Sequence, residues 1–357
     1  MNPPLKLMIP GPVQPDDDVL AVMGQPVQAH YGPAWTELYN DTTRMLAQVF
    51  ATTGAVHLLV GPGSAGLDAC LGSAAATGQT VIIGINGFFG QRLQVIAESY
   101  GLRVVPVTAE WGQPLDPRAF KAALAQHPEA ALVAVVHVET STTIVNPIQA
   151  IGAIVRAHHG TYLVDAVSSL GGVPLEMDAW HIDLCASASQ KCLGAPPGLA
   201  PVAVGPRGWE AIDRVPDKGH GWYLNLRVWR QYALEWGDWH PFPVTLATNN
   251  VLALRASLRK LLAEGLGRRQ ARYQALALRL RRGLRSIGLE PYTPDALMAP
   301  VVTAAYGPPG VPTSKLIAYM ADTHHIKLAG GMGEQLKDRV FRIGHMAPGV
   351  TASSHST

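Results

Sequence analysis

The chain has 357 residues, 48% of them hydrophobic and 15% charged, with a net charge of +2 and three cysteines. That length exceeds what one core usually holds, so a large and a small domain are expected, and the low charge content points to a well-buried globular protein with some surface covered by another subunit. Near-neutral charge argues against a polyanion partner, and Cys70, Cys185 and Cys192 are too few for a disulfide framework; with no apolar run of about 18 residues, a soluble, cytoplasmic protein is expected.

In chain order, short apolar β-branched runs occur at Val56–Val60, Val81–Ile85, Arg103–Val107, Ala131–His137, Tyr162–Asp165 and Leu184–Ser187. Helix-like stretches lie between most of them: Ser64–Ala75, Gly90–Tyr100, Pro117–Ala125 and Pro147–His158. Strand–helix alternation with nearly continuous apolar strands predicts an α/β fold with a mostly parallel sheet covered on both faces. Ligands bind such sheets outside the carboxyl ends of the strands. The texture changes from about Val251. Two long amphipathic stretches, Val251–Glu264 and Arg268–Ile287, lead to a strand at Ala299–Ala305, a helix at Ser314–Thr323 and strands near Ile326–Ala329 and Arg339–Gly344. These divide the chain into an N-terminal arm (1–15) that crosses back onto the small domain, a large domain (16–260) and a small domain (261–357). The basic run Arg268–Arg285 reads as a solvated helix face, since no aromatics interleave it in a nucleic-acid pattern.

Lys191 lies in Ser187-Ala-Ser-Gln-Lys-Cys-Leu-Gly-Ala-Pro-Pro-Gly, after an apolar run, and Asp165 ends another run 26 residues upstream. A lysine and an aspartate on one rim suggest a Schiff-base lysine and a partner for a pyridinium nitrogen, the pair that pyridoxal phosphate needs. Gly61-Pro-Gly-Ser-Ala-Gly stands between a strand and a helix, where free N–H groups could meet a phosphate; a tight structural turn is the alternative. It lacks the Gly-Lys-Ser/Thr of a nucleotide loop. In Asn86-Gly-Phe-Phe-Gly-Gln-Arg, an aromatic could stack on a flat ring or simply fill the core. The hydroxyl cluster of Val138-Glu-Thr-Ser-Thr-Thr could bond a phenolic oxygen or serve as turn chemistry. Arg342, inside an apolar strand, needs an anionic partner: a substrate carboxylate or a structural acid. The histidines, including His158-His159, His220, His324-His325 and His345, lack metal-ligand spacing, so no metal is expected. No Gly-x-Ser-x-Gly elbow appears.

With these motifs in this order, the chain resembles the class V, fold type I pyridoxal-phosphate aminotransferases of the alanine–glyoxylate and serine–pyruvate branch. The resemblance runs from Ile9-Pro-Gly-Pro-Val and His30-Tyr-Gly-Pro to Arg342-Ile-Gly-His-Met. Its most specific parts are Asp165-Ala-Val-Ser-Ser and Gln190-Lys-Cys-Leu-Gly-Ala-Pro-Pro-Gly. It implies a large domain with a mostly parallel, mixed seven-stranded sheet flanked by helices, and a small α+β domain. It further implies that Lys191 forms the imine with the cofactor and shuttles the proton, and that Asp165 pairs with the pyridine nitrogen. Val167 would pack under the ring and Phe89 over it, where relatives carry tryptophan. Gly63, Ser64, Ala65 and Gln190 would hold the phosphate, and Thr140 would sit near the phenolic oxygen. Thr245 would reach the phosphate of a neighbouring subunit, which makes a homodimer part of the site. Arg342 would grip the substrate carboxylate beside Gly11 and Tyr31. The implied reaction is a ping-pong transfer of an amino group from alanine or serine to glyoxylate or pyruvate. Within the same fold, a specialised donor (ureidoglycine, an aminophosphonate, pyridoxamine), lyase chemistry or a non-catalytic binding role are alternatives. Two departures stand out: Pro62 in the phosphate loop, and a sequence that ends in Ala347–Thr357 where relatives continue about thirty residues past the Arg342-Ile-Gly-His-Met strand into a closing helix.

Overall fold

The computed structural model describes residues 5–216 and 221–350; the Ser/Thr-rich end 351–357 and His220 lie outside the described residues. The strands in chain order are β1 (Lys6–Leu7), β2 (Ala55–Val60), β3 (Thr80–Ile85), β4 (Arg103–Thr108), β5 (Leu132–Val136), β6 (Val138–Glu139), β7 (Ile144–Val145), β8 (Tyr162–Asp165), β9 (Leu184–Ala186), β10 (Leu199–Val204), β11 (Val302–Tyr306), β12 (Ile326–Lys327), β13 (Ala329–Gly330) and β14 (Val340–Gly344). Seven form one sheet in the order β2-β10-β9-β8-β5-β3-β4. The β8–β9, β5–β8, β3–β5 and β3–β4 pairs are parallel, and β10 is antiparallel to both neighbours. This is the mixed α/β sheet expected, and the six predicted apolar runs are six of its strands. Helices Gly63–Ala74, Phe88–Ser99, Pro117–Gln126 and Ile148–Ala157 connect them, each near its predicted place.

β10 is the strand that residue patterning did not pick out. Pro201 sits within it, and a proline ordinarily demotes an apolar run because it cannot donate to a ladder. Here Pro201 faces Leu58 across the β2 edge, and its carbonyl accepts the N–H of Ser187. The helices Asp17–Met23, Pro33–Phe50, Pro206–Arg214 and Leu226–Glu235 were likewise not assigned from sequence.

Beyond the helix Thr248–Glu264 the chain breaks at Gly265, whose φ of 82° suits glycine, and continues as the helix Leu266–Ser286. That second helix is solvated on one side, where Arg268, Arg279 and Arg282 are exposed, but not on the other. Arg281 is 0% exposed and Arg269 is 2% exposed. Arg281 donates to the carbonyls of Asp295, Met298 and Ala299 and to the Thr303 hydroxyl, while Arg269 donates to the Cys192 carbonyl and pairs with Glu264 at 3.1 Å. The helix packs against β11, and two of its arginines point inward, where carbonyls accept Arg281 and the Cys192 carbonyl and Glu264 accept Arg269. A three-stranded antiparallel sheet, β11-β14-β13, follows. β1 lies parallel to β12, and the N–H of Gly344 donates to the Met8 carbonyl, which carries the N-terminal segment across to this second unit. The chain then passes through Pro10–Val13 to the large sheet, where the Val13 N–H reaches the Gln190 carbonyl. Among the described residues, no helix is long and apolar enough to cross a membrane.

Candidate active site

The carboxyl ends of β2, β3, β5, β8 and β9 converge on one rim, and Lys191 enters it from the loop between β9 and β10. That loop is compact because its polar groups are consumed locally. Ser189 Oγ donates to the Pro196 carbonyl at 2.6 Å, the Ala195 N–H bonds to the Ser189 carbonyl, and the Gly194 N–H bonds to the Lys191 carbonyl. The Gly61 N–H donates to the Gly198 carbonyl at 2.9 Å, which ties the predicted phosphate loop to the lysine loop. Lys191 Nζ donates to the Pro10 carbonyl. Gly11 is required here: its φ is 92°, and a Cβ would lie 2.8 Å from Lys191 Nζ.

Two adjoining cavities, of about 250 and 400 Å³, meet at Lys191. The first is lined by Gly63, Ser64, Phe89, Thr140, Asp165, Val167, Gln190 and Lys191, with Gly11, Pro62, Arg92 and Ser168. The second is lined by Arg342, Thr140, Phe89, Gly11 and Lys191, with Ile317, Lys327, Leu328 and Met332. Most predicted site residues therefore share one place. Ala65 does not line it; it is the third residue of the helix Gly63–Ala74, and its N–H bonds to the Pro62 carbonyl. Tyr31 and Thr245 lie outside both cavities: Tyr31 is 56% exposed beside His30, and Thr245 is exposed.

The charged groups are tuned by burial. Asp165, at the end of β8, is 5% exposed. Burial pushes its pKa up to about 6, opposed by the Val167 N–H that donates to Oδ1 at 2.8 Å, and the negative charge of Glu139 adds to the rise. Burial also pulls the Lys191 amine down to about 8, and the Arg342 charge acts in the same direction. Arg342, 7% exposed on β14, donates from Nε to the Gly330 carbonyl and from Nη1 to the Thr140 carbonyl, both at 2.9 Å. No carboxylate pairs with it among the described residues, so it is a buried cation that faces a cavity without an anion.

These residues fit pyridoxal phosphate. A buried acid on one wall suits a pyridinium nitrogen. The first residues of the helix Gly63–Ala74 reach the same cavity without a side-chain cap, the arrangement that takes phosphate. Glycine at 63 is required, since a Cβ there would lie 2.6 Å from Val167 Cγ2. Gln190 Oε1, buried and without a hydrogen-bond partner, also belongs to this wall. Pro62 is the residue preceding the helix, in extended conformation.

The lowered lysine pKa makes a prediction for the cofactor-free protein. Lys191 should acylate with half-maximal rate near pH 8, whereas a solvated lysine follows a pKa near 10.5. Since the folded pKa is depressed, Lys191 costs stability below pH 8 and that cost is relieved between pH 8 and 10.5. Peptide mass spectrometry after timed reagent pulses reads the midpoint; a midpoint above 10 contradicts the burial argument.

Sequence reasoning assigned no role to Glu139, Arg92 or Met332. Arg92 was legible as one turn beyond Phe89 on the same helix, and its guanidinium stands 5.0 Å from the Phe89 ring centroid. Met332 belongs to a loop whose approach depends on the packing of the second unit, so no local signal marks it.

Residues 27–302 match the sequence model of the family described as aminotransferase class V. An uncharacterized aminotransferase of Methanocaldococcus jannaschii is 37% identical over 95% of this chain and 87% of its own length. A Synechococcus chain named soluble hydrogenase small subunit is 35% identical over 95% and 87%. The (S)-ureidoglycine–glyoxylate transaminase of Bacillus subtilis is 33% identical over 95% and 85%. The crystal structure of an alanine–glyoxylate aminotransferase from Nostoc sp. superposes with a TM-score of 0.95 at 32% identity, covering 100% of this chain and 93% of that one.

Proposed function

Because this chain belongs to the class V aminotransferases and is a pyridoxal-phosphate-dependent transaminase of fold type I, we propose that it moves the amino group of a small amino acid, alanine or serine, to glyoxylate or pyruvate. The observation that carries this reading is Arg342, a buried guanidinium without an acid partner, in the same cavity as Lys191. A planar two-donor fork matches a substrate carboxylate. Around it the walls are Ile317, Leu328 and Met332, which favour a short, uncharged substituent; Lys327 lies at the exposed rim.

Pyridoxal phosphate, when bound, supplies the electron sink that weakens the substrate Cα–H bond. The backbone of Gly63 and Ser64 together with Gln190 would hold its phosphate, Phe89 and Val167 its two faces, and Thr140 its phenolic oxygen. Asp165 would hold a proton on the ring nitrogen; its raised pKa makes it a stronger acceptor for that proton. Lys191 Nζ is the base within reach of both cavities. Its lowered pKa leaves a sizeable uncharged fraction near neutral pH, able to take the Cα proton and later return one. Gly11 lets the amine approach the Pro10 carbonyl, which orients it between the two cavities.

Thr245 and Tyr31 have no place in the site of a single chain, and we assign both to a second copy in a homodimer. The exposed rings of Tyr31, Trp236 and Trp239 form a surface that a second copy would cover. The three cysteines are free and buried, which suits a cytoplasmic setting.

A second reading keeps the cofactor and changes the donor. It is favoured by the 33% identity to the ureidoglycine–glyoxylate transaminase and by a 30% identical pyridoxamine–pyruvate transaminase of Mesorhizobium japonicum. A panel of alanine, serine, ureidoglycine, aminoethylphosphonate and pyridoxamine, each with glyoxylate and pyruvate, separates the two. Arg342→Ala should lower kcat/KM for alanine by about 10²–10³, mainly through KM, since truncating one partner of a buried charge pair costs about 2–5 kcal/mol. Rejection of every small amino acid by the wild type, or an unchanged KM in Arg342→Ala, removes the first reading.

A further inference from the structure

We propose that Glu139 is the positioning residue of this site: its buried carboxylate holds the helix that presents Phe89, while the carbonyl of the next residue, Thr140, holds Arg342. The inference rests on the reading above, in which Phe89 meets the cofactor ring and Arg342 the substrate carboxylate, and it concerns a side chain that lines neither cavity.

The first N–H groups of any helix have no partner within it. In the helix Phe88–Ser99 the residue before the first turn is Gly87, which has no side chain to cap them. The cap comes from fifty residues away in sequence. Glu139 Oε2 accepts the N–H groups of Phe89 and Gly90, each at 3.0 Å. Oε1 accepts the Ser141 N–H at 3.1 Å and the Ser141 hydroxyl at 2.5 Å. Ser141 Oγ in turn accepts the Phe88 N–H at 2.9 Å. All three leading N–H groups thus end on the short hairpin of β6 and β7. Gly87 makes this approach possible, because a Cβ there would collide with the Glu139 side chain and stand 2.6 Å from Ser141 Oγ.

Burial raises the pKa of Glu139, and four donors together with the positive end of the helix hold the ionised form against it. A carboxylate that is 0% exposed would be expensive without them. The Thr140 carbonyl accepts Arg342 Nη1 at 2.9 Å. One hairpin therefore sets two walls of the site, the ring face on the large unit and the carboxylate clamp on the strand β14. The charge of Glu139 also opposes ionisation of Asp165 and favours the charged form of Arg342.

The test uses Glu139→Gln in the full chain. Glutamine keeps the shape, but its NH₂ must face donors on one side or the other. The cofactor-free protein is titrated with pyridoxal phosphate and followed by visible absorbance and by circular dichroism of the bound cofactor. Glu139→Gln should weaken cofactor affinity about 10–100-fold, the range for losing hydrogen bonds to a charged group, and should flatten the dichroic band. In a Phe89→Ala background the same substitution should change affinity by no more than about twofold, since its route is gone. Affinity and dichroism in Glu139→Gln matching the wild type, or an equal loss in both backgrounds, overturns the proposal. Should Glu139→Gln fail to fold, Ser141→Ala removes one hydroxyl from the cap; a smaller loss of the same sign supports the proposal, and unchanged affinity overturns it. Wild-type protein that takes up no cofactor overturns the functional reading and this inference together.

Discussion

Lys191→Ala should lower transaminase turnover by about 10⁴-fold, the upper range for losing a positioned general base. No other amine in the two cavities can replace it at close range: Lys327 is at the exposed rim, and the guanidiniums of Arg92 and Arg342 are not bases at neutral pH. The protein should still fold, because removing a partly desolvated amine relieves a burial cost. A coupled assay of alanine with glyoxylate measures the loss, and added methylamine should recover part of it by supplying a diffusible base. Turnover within about tenfold of the wild type would remove Lys191 from the chemistry.

Asp165→Asn should give the second large effect, a fall of about 10²–10⁴ in the rate of the half-reaction with alanine. The substitution is close to isosteric, and Oδ1 can still accept the Val167 N–H, so the fold around β8 should persist. What is lost is the negative charge that keeps a proton on the ring nitrogen. Mixing enzyme with alanine in a stopped-flow spectrometer isolates this half-reaction from the return. A single-turnover rate within about tenfold of the wild type would show that the carboxylate does not serve the ring. Because burial raises Asp165 to about 6 in the cofactor-free protein, its carboxyl should take up a proton at higher pH than an ordinary aspartate does.

Much of this site was legible because its signals are local. Lys191 follows an apolar strand and is flanked by residues that can only form a tight loop, Gly194 through Gly198. Asp165 ends a run too apolar to be anything but a buried strand. Since parallel strands share one carboxyl edge, naming the strands was enough to put Asp165, Lys191, Gly63 and Phe89 on one rim. Arg342 was legible by contrast, as a charge inside an apolar strand.

Other features depend on contacts between segments far apart in the chain. The charge pattern of Arg268–Arg285 suggests a solvated helix face, yet Arg269 and Arg281 point inward, because carbonyls of Cys192 and of residues 295–299 arrive there from elsewhere. β10 was hidden by Pro201, whose missing N–H does not prevent pairing at the β2 edge. Glu139 read as part of a hydroxyl-rich turn, and only the packing of β6 beneath the helix Phe88–Ser99 turns it into a cap. By itself, the sequence pointed to the fold class, to the cofactor and to Lys191 and Asp165 as candidates on one rim, since strand patterning and short motifs act over a few residues. Tertiary structure alone decided the pKa shifts, the unpaired state of Arg342 and the role of Glu139, because burial and long-range hydrogen bonds exist only once the two units are packed together.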